Sequence, residues 1–290
     1  MAISWYPGHM AKTKRLLEGQ LSRVDMVIEL CDARLPYSSR NPELLKMCKN
    51  KPRVLLLNKA DLASREATSA WVRYFKGQGE TALPLEAQKK GGVKQTLPLI
   101  YKAAEEILDR AEKRGFKRTL RAMVIGVPNV GKSTFINTLS GQARLKAEDR
   151  PGVTRGTQWV RVGTHLEIMD TPGMLWPRLD DQEAARRLCY IAAVRDAAVD
   201  VYDLCLHLLD ELMQLCPEQM TARFKIGDAS LRGQALLEEI CRGRGFLLPG
   251  AECDIDRAVA AVLNDFRDGR IARLTLEMPP NEGEQNGNQP

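Results

Sequence analysis

Over the first 170 positions the apolar residues fall in short runs of strand length, at residues 24–31, 53–57, 82–85, 120–125, 158–162 and 166–169. Between them lie segments of helical period, a basic amphipathic one at 10–22 and a long one at 94–114. Strands alternating with helices predict an α/β fold, a mainly parallel sheet with helices on both faces. After Trp176-Pro177 the strand signal nearly vanishes. Residues 182–195, 201–215, 217–224, 231–244 and 255–266 are apolar at helical spacing, and 270–276 is a candidate short strand. The pattern predicts an α/β domain over 1–178, a small helical domain over 179–278, and a disordered Gly/Asn/Gln-rich tail over 279–290.

The strand at 120–125 runs into Gly126-Val127-Pro128-Asn129-Val130-Gly131-Lys132-Ser133, a full Walker A pattern, and a helical stretch follows from Ser133 and Thr134. Its glycines let backbone N–H groups converge on phosphate oxygens, and the helix N-terminus adds partial positive charge. Val130, Gly131 and Thr134 line that cradle, Lys132 is expected to reach the β- and γ-phosphates, and Ser133 to bind Mg²⁺. Asp170-Thr171-Pro172-Gly173 ends the strand at 166–169, where open α/β sheets bind ligands. Asp170 is expected to hold Mg²⁺ through water and the Gly173 N–H to sense a γ-phosphate.

Asn58-Lys59-Ala60-Asp61 follows the apolar run at 53–57. An Asp there accepts from both N1–H and the 2-amino group of guanine, a donor pair that adenine lacks, so the expected nucleotide is GTP. Glu86-Ala87 lies where many GTPases present a backbone N–H to the guanine carbonyl, although Glu86 and Gln88 depart from the usual Ser-Ala-Lys. In an ordinary GTPase the base reader follows the phosphate-handling parts. Here it precedes them, so the same pocket is expected from a rotated chain. Rotation places both new ends beside the switch loop after Asp170, so what is attached there feels loss of the γ-phosphate.

Trp5-Tyr6-Pro7-Gly8-His9-Met10, Asp32-Ala33-Arg34, the base reader, the Pro128-Asn129 Walker A, Pro151-Gly152-Val153-Thr154 and Asp170 through Pro177 together resemble the circularly permuted YlqF family. The resemblance spans about the whole chain and is densest between Trp5 and Pro177. It implies a circularly permuted P-loop GTPase domain in which Thr154 joins the GTP and Mg²⁺ site. It further implies a bacterial GTPase that binds the maturing large ribosomal subunit, both rRNA and ribosomal proteins, and times its release by hydrolysis. For the helical domain it implies RNA contact.

Many GTPases place a water-orienting Gln directly after the Asp-x-x-Gly. This chain has Met174. An apolar side chain cannot orient water, so hydrolysis is expected to be slow until something else assists. Asn129 stands where similar K⁺-stimulated GTPases ligate K⁺, a charge beside the phosphates; the other reading is a residue that stabilises the loop. The resemblance points to His9 as catalytic, and a near-neutral pKa suits it to orient water. A histidine that packs or touches RNA is the alternative.

Charge refines the picture. Residues 1–183 hold 31 Lys and Arg against 20 Asp and Glu, a net +11, while 184–278 is −3 and the tail −2. Lys12, Lys14 and Arg15 follow His9, and Arg110, Lys113, Arg114, Lys117, Arg118 and Arg121 precede the phosphate-loop strand. Each cluster is either an electrostatic footprint for RNA or a solvated helix face. Net acidity leaves the helical domain open to protein contact or plain core packing, and His207 and His165 read as structural. Seven cysteines without Cys-x-x-Cys pairs argue against a disulfide framework or zinc. No apolar run approaches membrane-span length, and the start leaves no room for a signal or transit peptide, so the expected location is cytoplasmic. Two further classes stay open beside a ribosome assembly factor: a GTPase of another RNA-related pathway, and a non-hydrolysing nucleotide-sensing RNA-binding module.

Overall fold

The computed structural model describes residues 7–141, 157–176 and 181–280, with side chains from residue 11. These residues form two compact units, one of 7–176 together with 275–280, the other of 181–274. The first unit holds β1 (Met26–Asp32), β2 (Arg53–Asn58), β3 (Thr81–Pro84), β4 (Leu120–Ile125), β5 (Gln158–Val162) and β6 (Leu166–Asp170). They make a single sheet ordered β3-β2-β1-β4-β6-β5, parallel throughout except for β5, which runs antiparallel to β6. Its helices are α1 (Pro7–Leu21), α2 (Pro42–Met47), α3 (Arg65–Gly77), α4 (Lys90–Lys94), α5 (Thr96–Ala103), α6 (Glu105–Glu112) and α7 (Lys132–Ser140).

Successive strand residues point to opposite faces, and here both sets are buried. Val27, Met123, Ile125 and Met169 pack with Leu17 of α1 and Leu44 of α2. Leu55 and Leu57 pack with Trp71 and Phe75 of α3. The alternate residues Ile28, Leu30, Val54, Leu56, Ala122 and Val124 are equally buried. A central strand that is apolar on both sides belongs in a parallel sheet covered on both faces. Glu29, in the middle of β1, is buried and takes a two-pronged pairing from Arg40 at 2.9 Å on each oxygen.

The long helical segment at 94–114 is in fact three pieces. Pro98 cannot donate a backbone N–H back to the preceding turn, and the Thr96 hydroxyl donates to the Val93 carbonyl at 2.6 Å, so the helix restarts at Thr96 with Pro98 in its first turn. A second break falls at Ala104, with φ −102° and ψ 7°.

The second unit consists of α8 (Gln182–Tyr190), α9 (Val201–Leu215), α10 (Pro217–Phe224), α11 (Gly233–Arg244) and α12 (Ile255–Arg267). Asp181, Asp200 and Asp254 cap α8, α9 and α12 by accepting first-turn N–H groups. Leu204, Leu208, Leu209 and Leu212 line the buried stripe of α9. His207 sits outside that stripe and is exposed, so it is a surface residue and not a packed one. Arg223 grips the buried Asp265 through both oxygens. All seven cysteines are free thiols, six of them buried.

Residues 275–277 correct the expected domain boundary. The sequence pattern assigns them to the helical domain, yet they bond to the first unit. The Thr275 hydroxyl donates to the Ala33 carbonyl at 3.1 Å, and the Leu276 N–H to the Arg34 carbonyl at 2.9 Å. The Glu277 carboxylate accepts the Tyr37 and Ser38 N–H groups, while its carbonyl accepts the Trp71 indole N–H at 2.8 Å. A short extended segment finds its hydrogen bonds wherever backbone donors stand unpaired, and that place lies on the far side of the sequence. Most of the expected disordered tail, 281–290, lies outside the described residues.

Candidate functional site

Four strand ends meet at one edge of the sheet: Asp32 closes β1, Asn58 closes β2, Gly126 follows β4 and Asp170 closes β6. This is the carboxyl edge, where open α/β sheets bind ligands. Asn58 ties the parts together. Its amide nitrogen donates to the Val130 carbonyl of the phosphate loop at 2.7 Å, and its oxygen accepts the Ala87 N–H at 2.9 Å. Gly131 is required beside it, since a Cβ there would lie 2.3 Å from the Asn58 nitrogen and the backbone φ is +94°. Lys59, in the left-handed region at φ +59°, turns the chain towards Asp61, and the Ala60 N–H donates to Leu85. The half-buried Asp61 carboxylate has no hydrogen bond or ion pair among the described residues.

A buried ionic group lies beneath the base reader. The fully buried Asp32 accepts the Arg34 guanidinium in two-pronged fashion, both bonds 2.9 Å, and lies 3.6 Å from the Lys59 ammonium. Burial by itself would raise the Asp32 pKa; Arg34 and Lys59 outweigh it and hold the carboxyl below its ordinary value. Asp32 and Arg34 entered the sequence reading only as part of a resemblance. Their role as the seat of Lys59 was missed, because two residues two positions apart give no sign that a lysine just past the next strand will join them.

In the phosphate loop, Lys132 is buried and its ammonium donates to the Gly126 and Val127 carbonyls at 3.2 and 2.9 Å. Desolvation pulls its pKa down to about 8, partly opposed by Asp170. The Ser133 hydroxyl donates to Asp170 at 2.8 Å, and burial raises the Asp170 pKa against that bond and Lys132. Gly173 packs so closely on the loop that a Cβ would come within 2.6 Å of the Pro128 backbone. Asn129 has φ +62°. The hydroxyl and carboxylate of Ser133 and Asp170 are hard oxygen donors beside a phosphate cradle, a donor set that fits Mg²⁺. With it bound, Mg²⁺ would neutralise phosphate charge.

Of the residues singled out in the sequence, Asn58, Lys59, Ala60, Ala87, Val130, Gly131, Lys132, Ser133, Asp170 and Gly173 thus lie at this one edge, with Asp61 and Asn129 on the same loops and Thr134 in the first turn of α7. The Ala87 N–H serves Asn58, and the Glu86 carboxylate pairs with Lys89. Thr154 and the His9 side chain lie outside the described residues. His9 falls within α1, whose Leu17 packs in the same cluster as Met174. Met174 itself is core. It is 1 % exposed, packed among Leu17, Val24, Leu44 and Met169, and its carbonyl accepts the Asn41 amide.

A family model described as a 50S ribosome-binding GTPase matches residues 121–234, a stretch that includes the phosphate loop and the Asp170 loop but not Asn58 to Asp61. The chain is 39 % identical over 286 residues to ribosome biogenesis GTPase A of Bacillus cereus, spanning 98 % of this chain and 97 % of that one. It is 30 % identical over 277 residues to the protein of that name from Thermotoga maritima, spanning 96 % and 95 %. Its fold is similar to the crystal structure of GNP-bound YlqF from T. maritima, with TM-score 0.62, 25 % identity and coverage of 92 % and 98 %. A base reader that comes first in sequence yet is bolted to the phosphate loop in space is what a rotated GTPase requires, and the chain belongs to the ribosome biogenesis GTPase A, or YlqF, family.

Proposed function

We propose that this protein binds and hydrolyses GTP on the maturing large ribosomal subunit, and that hydrolysis releases it. The observation that carries the reading is Asn58, one side chain spanning the phosphate loop and the Ala87 loop. It fixes the guanine-reading segment at a set distance from the phosphates. In this reading Asp61 selects guanine, while Lys132, the loop N–H groups and the N-terminus of α7 neutralise the phosphates. Ser133, Asp170 and Thr154 hold Mg²⁺. The names of the relatives, and that of the matching family, support a ribosomal partner. Among the described residues no helix is long and apolar enough to cross a membrane.

Hydrolysis by the protein alone is slow in this account, because the residue after Gly173 is sealed in the core. His9, carried on α1, and a K⁺ held by Asn129 are the two substitutes we propose. Help supplied by a partner is worth roughly 10³–10⁵ in rate for GTPases. Turnover measured with and without purified large subunits, in K⁺ and in Na⁺, tests the proposal. Strong stimulation by large subunits is the expected result. Equal stimulation by unrelated RNA would move the protein to another RNA pathway, and stimulation by nothing would leave a nucleotide-sensing RNA module.

The burial of Met174 is the observation that favours this last reading, and it carries its own prediction. Met174→Gln places an amide where no water or phosphate reaches it. A buried amide without partners costs about 1–3 kcal/mol, so the variant melts earlier and turns over no faster than the parent. A tenfold gain in single-turnover rate would overturn the placement of Met174.

A further inference from the structure

We propose that the amino edge of the sheet, opposite the nucleotide cleft, is a docking face for single-stranded or looped RNA. This rests on the ribosome-directed reading above and adds the surface and the ligand chemistry. Parallel strands put all their starts at one edge, and here Lys51 and Arg53 at β2 and Arg118 before β4 stand there with two acids, Asp25 and Glu80, that are both ion-paired. A groove of about 430 Å³ opens there, lined by Lys46, Lys49, Lys51 and Arg53, with Glu80 as its one acid. Glu80 is already engaged by Arg40 and Arg53. Lys46 and Lys49 are exposed, and their ammonium groups have no hydrogen-bond or ion-pair partner among the described residues. The groove therefore offers uncompensated ammonium groups at a concave surface, which suits a phosphate backbone.

The basic character continues across the edge. Lys51 donates to the Val24 carbonyl at 2.7 Å from one side, and Arg118 pairs with Asp25 from the other. Val24 and Asp25 lead into β1, which lies between β2 and β4, so the groove and Arg118 are separated by about two strand spacings, roughly 10 Å. Next to Arg118 and Lys117, Phe116 is 70 % exposed. An exposed aromatic ring in the segment that leads into β4, next in sequence to Lys117 and Arg118, favours RNA over an acidic protein segment. Unpaired bases stack on such rings while their phosphates meet the lysines.

Two variants of the full chain test this, Lys46→Gln with Lys49→Gln, and Phe116→Ala, all at exposed positions remote from the nucleotide. The probes are a fluorescein-labelled 20-nucleotide single-stranded RNA and purified large subunits, titrated at several KCl concentrations. Two lost phosphate contacts should make the salt dependence shallower by about 1.4 in log–log slope and weaken RNA binding roughly tenfold at 0.1 M salt. Loss of one stacked base should weaken it roughly 5- to 100-fold. GTP affinity and unstimulated turnover stay unchanged. Variants that bind RNA like the parent overturn the face. Subunit binding that falls while RNA binding does not assigns the face to a ribosomal protein and overturns the RNA claim. A parent that binds neither probe sinks the ribosome-directed reading itself.

Discussion

Asp61→Asn is expected to reverse the base preference of the site, lowering the ratio of GTP to XTP affinity by roughly 10⁴-fold. The carboxylate can accept two hydrogen bonds from the guanine edge, while the amide accepts one and turns an N–H towards the other donor. A site built to use a donor pair discriminates by about 10⁴–10⁵ against a base that lacks it. Xanthine presents a carbonyl where guanine has its amino group, and so suits the amide. The substitution should leave the fold intact, because Asp61 is half-buried and bonded to nothing among the described residues. Titration of both triphosphates against parent and variant measures the ratio. GTP affinity within tenfold of the parent, with no gain for XTP, would remove Asp61 from the base site.

Asp32→Ala is expected to cost stability instead. Arg34 is 1 % exposed and its guanidinium rests on the Asp32 carboxylate. Removing the carboxylate from this buried two-pronged pair is expected to cost about 3–5 kcal/mol. For a unit of this size that is a loss of roughly 6–20 °C in melting temperature. The companion variant Asp32→Ala/Arg34→Ala should be less destabilised than the two single changes summed, since the two side chains are in direct contact and share one interaction. Lys59 loses its seat in both, so guanine nucleotides should bind more weakly even below the melting transition. Additive single and double effects in thermal melts would show that the pair is not coupled.

The chemistry of the site was largely legible because the phosphate loop and the Asp-Thr-Pro-Gly are contiguous, and contiguous residues carry their geometry in their spacing. β4 falls where its apolar run puts it, because a strand buried on both faces is a nearly unbroken run, and β5 shows in the alternation of Val160 and Val162, which are buried, with exposed neighbours. What could not be read is what depends on distant partners. Asn58 looks in sequence like one letter of a base-reading string; that it also joins two loops follows only from β2 lying close to the phosphate loop. Met174 could be seen to lack an amide but not to be core, since its neighbours Leu17, Val24 and Leu44 come from elements far upstream. The break at Thr96 was readable from Pro98, and the helical period of the surrounding residues masked it. His207 was misread from the leucines beside it, although a helix that buries one stripe exposes the residue between.

The last residues to be synthesised before the tail complete the first unit. Until Glu277 has left the exit tunnel, the Tyr37 and Ser38 amides and the Trp71 indole of a nascent chain lack their acceptors. All the described helices of the second unit precede that moment in the chain, so these bonds of the first unit can form only after the second unit has been synthesised. Trp71 is a built-in optical reporter of that final step, because its indole environment changes when the strip carrying Glu277 comes home.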